Sequence, residues 1–305
     1  MIDEERLQQI RRDAERLGRV DAKGVRPIGS PFPQATAETG YYGLPLLKPP
    51  VWTWEVPAYF FVGGAAGAAA VVGAAAQITG ADRDLVRHAR WIAASGAALS
   101  TPLLIGDLGR PKRFLNMLRV FKLQSPMSVG AWTLAVFGPC STVAALADES
   151  VVGDAAAMLS AATGLAMSTY TGVLIGATVI PVWSKHVSVL PLHFGASAMA
   201  SAVSLLQLLG HDEKALNVLG LVAAAFETFQ GPRIDGNMRM ASFFSGPVPL
   251  FLRTIGLRSR RVRTAAAAAS LLGSLLTRVA WLEAGKRSAT RDAAGLREQI
   301  GEGER

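Results

Sequence analysis

Five long stretches of this sequence contain no charge, and their positions predict its elements. No Asp, Glu, Lys or Arg occurs between Glu55 and Asp82, Arg90 and Asp107, Lys122 and Asp148, Asp154 and Lys185, or Lys185 and Asp212. Each gap reads as a helix crossing a bilayer, since about 20 apolar residues span the roughly 30 Å hydrocarbon layer. The second gap is short and borrows residues from Leu85 onward, with Arg87 and Arg90 snorkelling toward water. A sixth span, about Ala215 to Phe229, carries Glu227, and a last one, about Thr264 to Leu282, carries Arg278. Between them Met240 to Leu252 is apolar but short and broken by Gly246-Pro247 and Pro249. It predicts a short seventh span, with a re-entrant segment over 240–256 as the rival. The expected fold is an all-α polytopic membrane protein of about eight transmembrane helices, the seventh short or re-entrant.

Outside the spans, residues 1–50 form a polar N-terminal tail, and Pro27, Pro31, Pro33, Pro45, Pro49 and Pro50 crowd its second half. Leu7, Ile10, Ala14 and Leu17 recur at helical spacing behind Asp3, Glu4 and Glu5, which predicts one short amphipathic helix. Residues 285–305 form a polar C-terminal tail. Loop charge sets the orientation. Arg110, Lys112, Arg113, Arg119, Lys122 and Lys185 fall on the side of the N-terminus, while Asp82, Asp84, Asp148, Glu149, Asp154, Asp212 and Glu213 dominate the other. The basic side, and the N-terminal tail with it, is expected to be cytoplasmic. Eight full spans then place Arg258, Arg260, Arg261 and Arg263 outside, and a re-entrant seventh segment keeps them inside.

Composition supports the membrane reading: 50% of the 305 residues are hydrophobic, 18% are charged, and the mean hydropathy is +0.29. The net charge of +8 has no nucleic-acid motif beside it, so lipid headgroups are the expected counterions. A single cysteine, Cys140, cannot supply an iron–sulfur cluster or a thiolate zinc site, so no metal centre of the chain's own is expected. Haem is not expected either. His186 and His193 are seven apart, about 10 Å of helical rise, and His88 and His211 are at helix ends.

Ionisable groups within spans are costly and therefore candidates for function. Glu55 and Tyr59, four apart on the first span, share a face and could protonate a carbonyl-bearing ligand, or could simply belong to an interfacial belt. Asp107 and Arg110 lie in Asp107-Leu-Gly-Arg110-Pro111, where Gly109 suits a helix C-cap and a salt bridge could order the loop. Ser125-Pro126-Met127-Ser128 has the pattern of a capped helix start. Tyr170 is central to the fourth span, and its hydroxyl needs a partner, either a ligand or a backbone carbonyl. His193, Glu227 and Arg278 could form a proton path, with Glu227 as counter-ion to Arg278, or could pin the helices together. The pairs Gly63/Gly67 and Gly172/Gly176 predict close helix packing.

Four ordered motifs resemble the NrfD/PsrC family, the polysulfide-reductase-like integral membrane subunits. They are Trp52-Thr-Trp-Glu-Val-Pro-Ala-Tyr-Phe-Phe-Val-Gly-Gly, Asp107-Leu-Gly-Arg-Pro-Lys-Arg-Phe, Ser125-Pro-Met-Ser-Val-Gly-Ala-Trp, and Tyr170-Thr-Gly-Val-Leu-Ile-Gly-Ala-Thr-Val-Ile-Pro-Val-Trp, with a weaker likeness from Arg278 through Ala284-Gly285. The resemblance implies two four-helix bundles, here residues 51–184 and 185–284, with a quinone site in the first. It implies Glu55, Tyr59, Asp107, Arg110, Ser128 and Tyr170 as the quinone-site region, with Glu55, Tyr59 and Tyr170 handling protons. It further implies a docked four-cluster ferredoxin-like iron–sulfur subunit and a catalytic subunit, often molybdopterin-dependent. The expected function is a quinone-binding membrane subunit of a respiratory oxidoreductase in a prokaryotic inner membrane, using menaquinone or ubiquinone. The alternatives are an ion or solute transporter without quinone chemistry, and a purely structural anchor.

Overall fold

A computed structural model describes residues 47, 50–107, 112–231, 236–255 and 259–302. The predicted N-terminal amphipathic helix, Gly109, Arg110, Pro111 and Arg258 lie outside the described residues. All regular structure within them is helical. In chain order the helices are α1 (Glu55–Ile78), α2 (Arg83–Asp107), α3 (Lys112–Met117), α4 (Pro126–Leu146), α5 (Val151–Gly176), α6 (Pro181–Ser184), α7 (Leu190–Leu208), α8 (Lys214–Gln230), α9 (Gly236–Ser245), α10 (Pro247–Ile255) and α11 (Arg260–Glu302). Four of them, α1, α4, α5 and the Arg260–Ala289 part of α11, are long and apolar enough to cross a membrane.

The ends of these helices follow local chemistry. Ser125 caps α4, its side chain accepting from Ser128 N–H with Pro126 in the first turn, and Ser150 caps α5 in the same way through Gly153 N–H. The fourth uncharged gap is therefore not one helix. α5 stops at Gly176, and Pro181 starts the separate turn α6, which ends before α7 begins at Leu190.

α1 packs against α2 and α5, and α4 against both of those, so these four helices close on one another. α7 packs on α8 and α11, and α10 on both α8 and α11. α1 joins the groups through α7 and α11, and its Ala- and Gly-rich surface is buried on most sides, as suits a helix apolar all round. The small residues permit close approach: a Cβ at Gly67 would lie 2.4 Å from the Gly164 carbonyl oxygen.

The interrupted segment runs from one end of its group to the other. Asn237, opening α9, donates to Glu283 of α11 at 3.0 Å, whereas Arg253 of α10 reaches Gln207 at 2.8 Å, near the far end of α7. Gly246 N–H donates to Ser242 O and Leu250 N–H to Gly246 O, which keeps helical bonding through the break. Arg263 then pairs with Asp212 at 2.6 Å, placing the arginine run at the same end as the α7–α8 turn. α9 therefore sits at the Glu283 end of this group and α10 at the Gln207 end.

A further expectation is corrected. Arg90 does not snorkel: it is 5% exposed and bonds Asp148 at 2.7 Å, Asp154 at 2.6 Å, Gln77 at 2.9 Å and the Ala144 carbonyl at 3.2 Å. Its two carboxylates lie on the α4–α5 connection and the first turn of α5, so desolvation of the guanidinium is offset by charge and hydrogen bonds from three sides. Arg90→Met is expected to cost about 2 kcal/mol, since part-exposed acids lose a buried partner. A lower thermal midpoint in detergent reads it out, and Arg83→Met, which removes only the exposed pair with Glu149, serves as the near-neutral control. At the C-terminus α11 continues as helix to Glu302, well past the apolar tract.

Candidate functional site

The four helices α1, α2, α4 and α5 surround a cleft at the end where α1 begins. It measures about 540 Å³ with its open mouth included. Its walls are apolar, with Val56 and Phe60 of α1, Leu103 and Leu104 of α2, Met127 of α4 and Leu174 of α5. Its polar groups are the hydroxyls of Tyr59 and Tyr170 inside and the carboxylate of Asp107 near the mouth.

Tyr59 and Tyr170 are buried and hydrogen-bonded to each other through their hydroxyls. The partner of Tyr170 is thus another cleft tyrosine, neither a backbone carbonyl nor Glu55. The pair has a useful consequence. Each phenol carries one hydrogen, and the mutual bond uses one of the two, so the other remains for an acceptor in the cleft. The backbone of α4 makes room for this arrangement, since a Cβ at Gly130 would lie 2.1 Å from the Tyr170 ring. That is the physical content of glycine in the Ser125–Trp132 motif.

Glu55 is not among the described residues lining the cleft; it neighbours Asp107, which is. The Glu55 carboxylate accepts from the Thr53 hydroxyl. Asp107 is hydrogen-bonded to Thr53 and faces the charges of Glu55 and Lys286. The Lys286 ammonium donates to the Trp52 carbonyl, and the Trp52 ring stacks on Trp183 with centroids 5.6 Å apart. Trp183 in turn donates to the Trp281 carbonyl at 2.8 Å. Lys286 and Trp281 carry no site signal in the sequence, whereas Trp183 closes the fourth motif and a Cβ at Gly285 would lie 2.1 Å from its ring.

Ser128 has a different task. Its hydroxyl accepts from Lys122 N–H at 3.0 Å and donates to the Val120 carbonyl at 3.3 Å, tying the loop before α4 to that helix. It is not among the described residues lining the cleft.

His193, Glu227 and Arg278 are all buried and close together in the second group. His193 Nδ1 lies 3.1 Å from Glu227 Oε1. Arg278 is within electrostatic reach of Glu227, but its guanidinium is held by the Ser197 hydroxyl, by Ser274 Oγ at 2.8 Å and by the Phe194 carbonyl at 3.2 Å. Glu227 therefore has His193, not Arg278, as its direct partner. Glu227 also lines a second cavity with Thr228, Arg239 and Ser242, about 510 Å³ with its opening included. The two clusters approach through Phe60, a cleft wall, whose ring meets Phe194 edge-on at 6.2 Å beneath Arg278.

Comparison with known protein families gives a match to the NrfD-type model described as polysulfide reductase, over residues 38–230. No curated protein matches the sequence. The matched stretch, more than half of the chain, holds α1 to α8 and so all the helices that wall the cleft; α9, α10 and α11, with Arg278 and Lys286, follow it. Since the match and the four apolar helices agree, the chain belongs to the NrfD polysulfide reductase family and is an integral membrane protein.

Proposed function

We propose that this chain is the quinone-reactive membrane subunit of a multi-subunit respiratory oxidoreductase, exchanging electrons between menaquinone or ubiquinone and a docked iron–sulfur subunit. The observation that carries the reading is the tyrosine pair with one uncommitted hydroxyl hydrogen inside an apolar cleft. Quinone reduction consumes two electrons and two protons. A quinone ring needs apolar walls and a donor aimed at a carbonyl oxygen, and this cleft offers both. Asp107 at the mouth and its neighbour Glu55 give a route for replenishing the proton, and Lys286 and Thr53 hold them in place. With Cys140 the only cysteine, the clusters that deliver electrons belong to the four-cluster ferredoxin-like partner, and substrate chemistry to a further, molybdopterin-type subunit. In this reading the two helix groups are two membrane-spanning bundles, with α9 and α10 together as the seventh span, and the N-terminus faces the cytoplasm of a prokaryotic inner membrane.

A photoreactive quinone added to native membranes tests the reading. Labelling is expected on peptides containing Trp52–Phe60 or Leu103–Asp107 and should be suppressed by excess unlabelled quinone. Labelling confined to other peptides, or none in an intact complex, overturns it.

The buried His193–Glu227 pair beside its own cavity supports a proton path through the second bundle. Glu227→Gln is expected to leave quinone turnover within about twofold, as Glu227 does not line the cleft, while abolishing coupled proton movement in liposomes. Proton movement equal to that of the unmodified complex would make the cluster a structural pin.

A further inference from the structure

At the end of the protein opposite the cleft, two helices finish alike. α1 ends with Gly80 at φ 67°, Gly80 N–H bonding Gln77 O and Ala81 N–H bonding Ala76 O. α7 ends with Gly210 at φ 103°, Gly210 N–H bonding Gln207 O and His211 N–H bonding Leu206 O. A left-handed glycine with this pair of bonds fixes the direction of the next residues. The two turns deliver Asp82 and His211 to one corner, where Glu213 and His88 join them.

One ligand-type atom each from Asp82, His211 and Glu213 lies within 4.8 Å of the others. His211 Nδ1 is 3.5 Å from Glu213 Oε1, and His211 Nε2 is 2.9 Å from His88 Nδ1. The His211 side chain is buried, and Glu213 Oε2 is a buried atom with no hydrogen-bond partner among the described residues. If His211 donates from Nε2 to His88, a neutral ring turns the Nδ1 lone pair toward carboxylate oxygens. Lone pairs then face one another, and a cation between them resolves the conflict.

The geometry points to a binding site for a divalent first-row transition cation, with zinc as the type case, ligated by Asp82, His211 Nδ1 and Glu213. His88 acts as the outer partner that fixes the His211 tautomer and ring orientation. This departs from the expectation that the chain holds no metal. Tetrahedral zinc with bonds of about 2.0–2.1 Å needs its ligands about 3.3 Å apart, a contraction open to the exposed Asp82 and part-exposed Glu213 side chains by rotation. Three protein ligands leave a fourth position for water. Asp82 precedes α2, and His211 and Glu213 precede α8, so the ion clamps the entry of the first group to the turn of the second.

The test uses the full chain in detergent, purified through a tag without histidine and stripped of metal by a chelator that is then removed. Calorimetric titration with zinc is expected to give one site per chain and a raised thermal midpoint, and cobalt(II) to give the visible absorption of a four-coordinate ion. Glu213→Gln and Asp82→Asn, on accessible side chains, are each expected to weaken zinc binding at least about 10-fold, and His88→Phe by about 10- to 100-fold. No saturable zinc uptake overturns the proposal. Uptake unchanged in Glu213→Gln and Asp82→Asn overturns it equally, because the ion is then bound elsewhere.

Discussion

Tyr170→Phe in the assembled complex is expected to lower quinone turnover by about 10²- to 10⁴-fold, the usual worth of a positioned proton donor. The single substitution also leaves the Tyr59 hydroxyl without its buried partner, which costs about 1–3 kcal/mol of stability. These two effects separate in the double variant Tyr59→Phe/Tyr170→Phe. Removing both hydroxyls leaves no orphan, so the thermal midpoint is expected to recover toward that of the unmodified protein while turnover remains lost. Steady-state quinol oxidation or quinone reduction in proteoliposomes, beside thermal unfolding of the same samples, gives both readouts. A double variant that turns over normally would show that the pair only fills the cleft.

Gly67→Val is expected to prevent assembly. The added Cβ would lie 2.4 Å from the Gly164 carbonyl oxygen, 2.9 Å from Met167 Cβ and 3.1 Å from Ser168 N, all on α5. Two of these atoms are backbone, and no flexible side-chain end can swing aside, so α1 and α5 must move apart. α1 also contacts α2, α7 and α11, so the displacement spreads through both groups. Overpacking costs about 1–3 kcal/mol where side chains can adjust, and this contact belongs at or above the upper end. Size-exclusion of a fluorescently tagged chain reads the outcome as loss of the monodisperse peak. Gly138→Ala, where a Cβ has open space, is the matched control and should keep that peak.

The uncharged gaps located most helices because a lipid-facing segment excludes charge along its whole length. They misjudged the charges at helix ends. Arg90 adjoins a gap and reads as interfacial, but its partners Asp148 and Asp154 are more than 50 residues away and were counted only as loop charge. Local spacing likewise linked Tyr59 to Glu55. The bond that shapes the cleft joins Tyr59 to Tyr170, and it depends on which face of α5 meets α1, a matter settled by Gly67 against Gly164 and Gly130 against Tyr170. In the segment before α11, prolines and a glycine argued for a break, and the structure has one between α9 and α10, with Asn237 and Arg253 anchoring the two pieces at different heights. His193 and Glu227 were legible as expensive intramembrane groups, but their contact joins α7 to α8 and has no signature in sequence.

The tryptophan stack at the cleft mouth has a consequence for biogenesis. Trp52 leans on Trp183, Trp183 is fastened to the Trp281 carbonyl over Gly285, and Lys286 holds the Trp52 carbonyl. Every wall of the cleft has left the ribosome once α5 is made, yet the brace on its rim comes from the last helix. A nascent chain halted before α11 should insert its first four long helices without a finished rim. On the proposed function, a rim able to hold a quinone therefore forms only after α11 has been made.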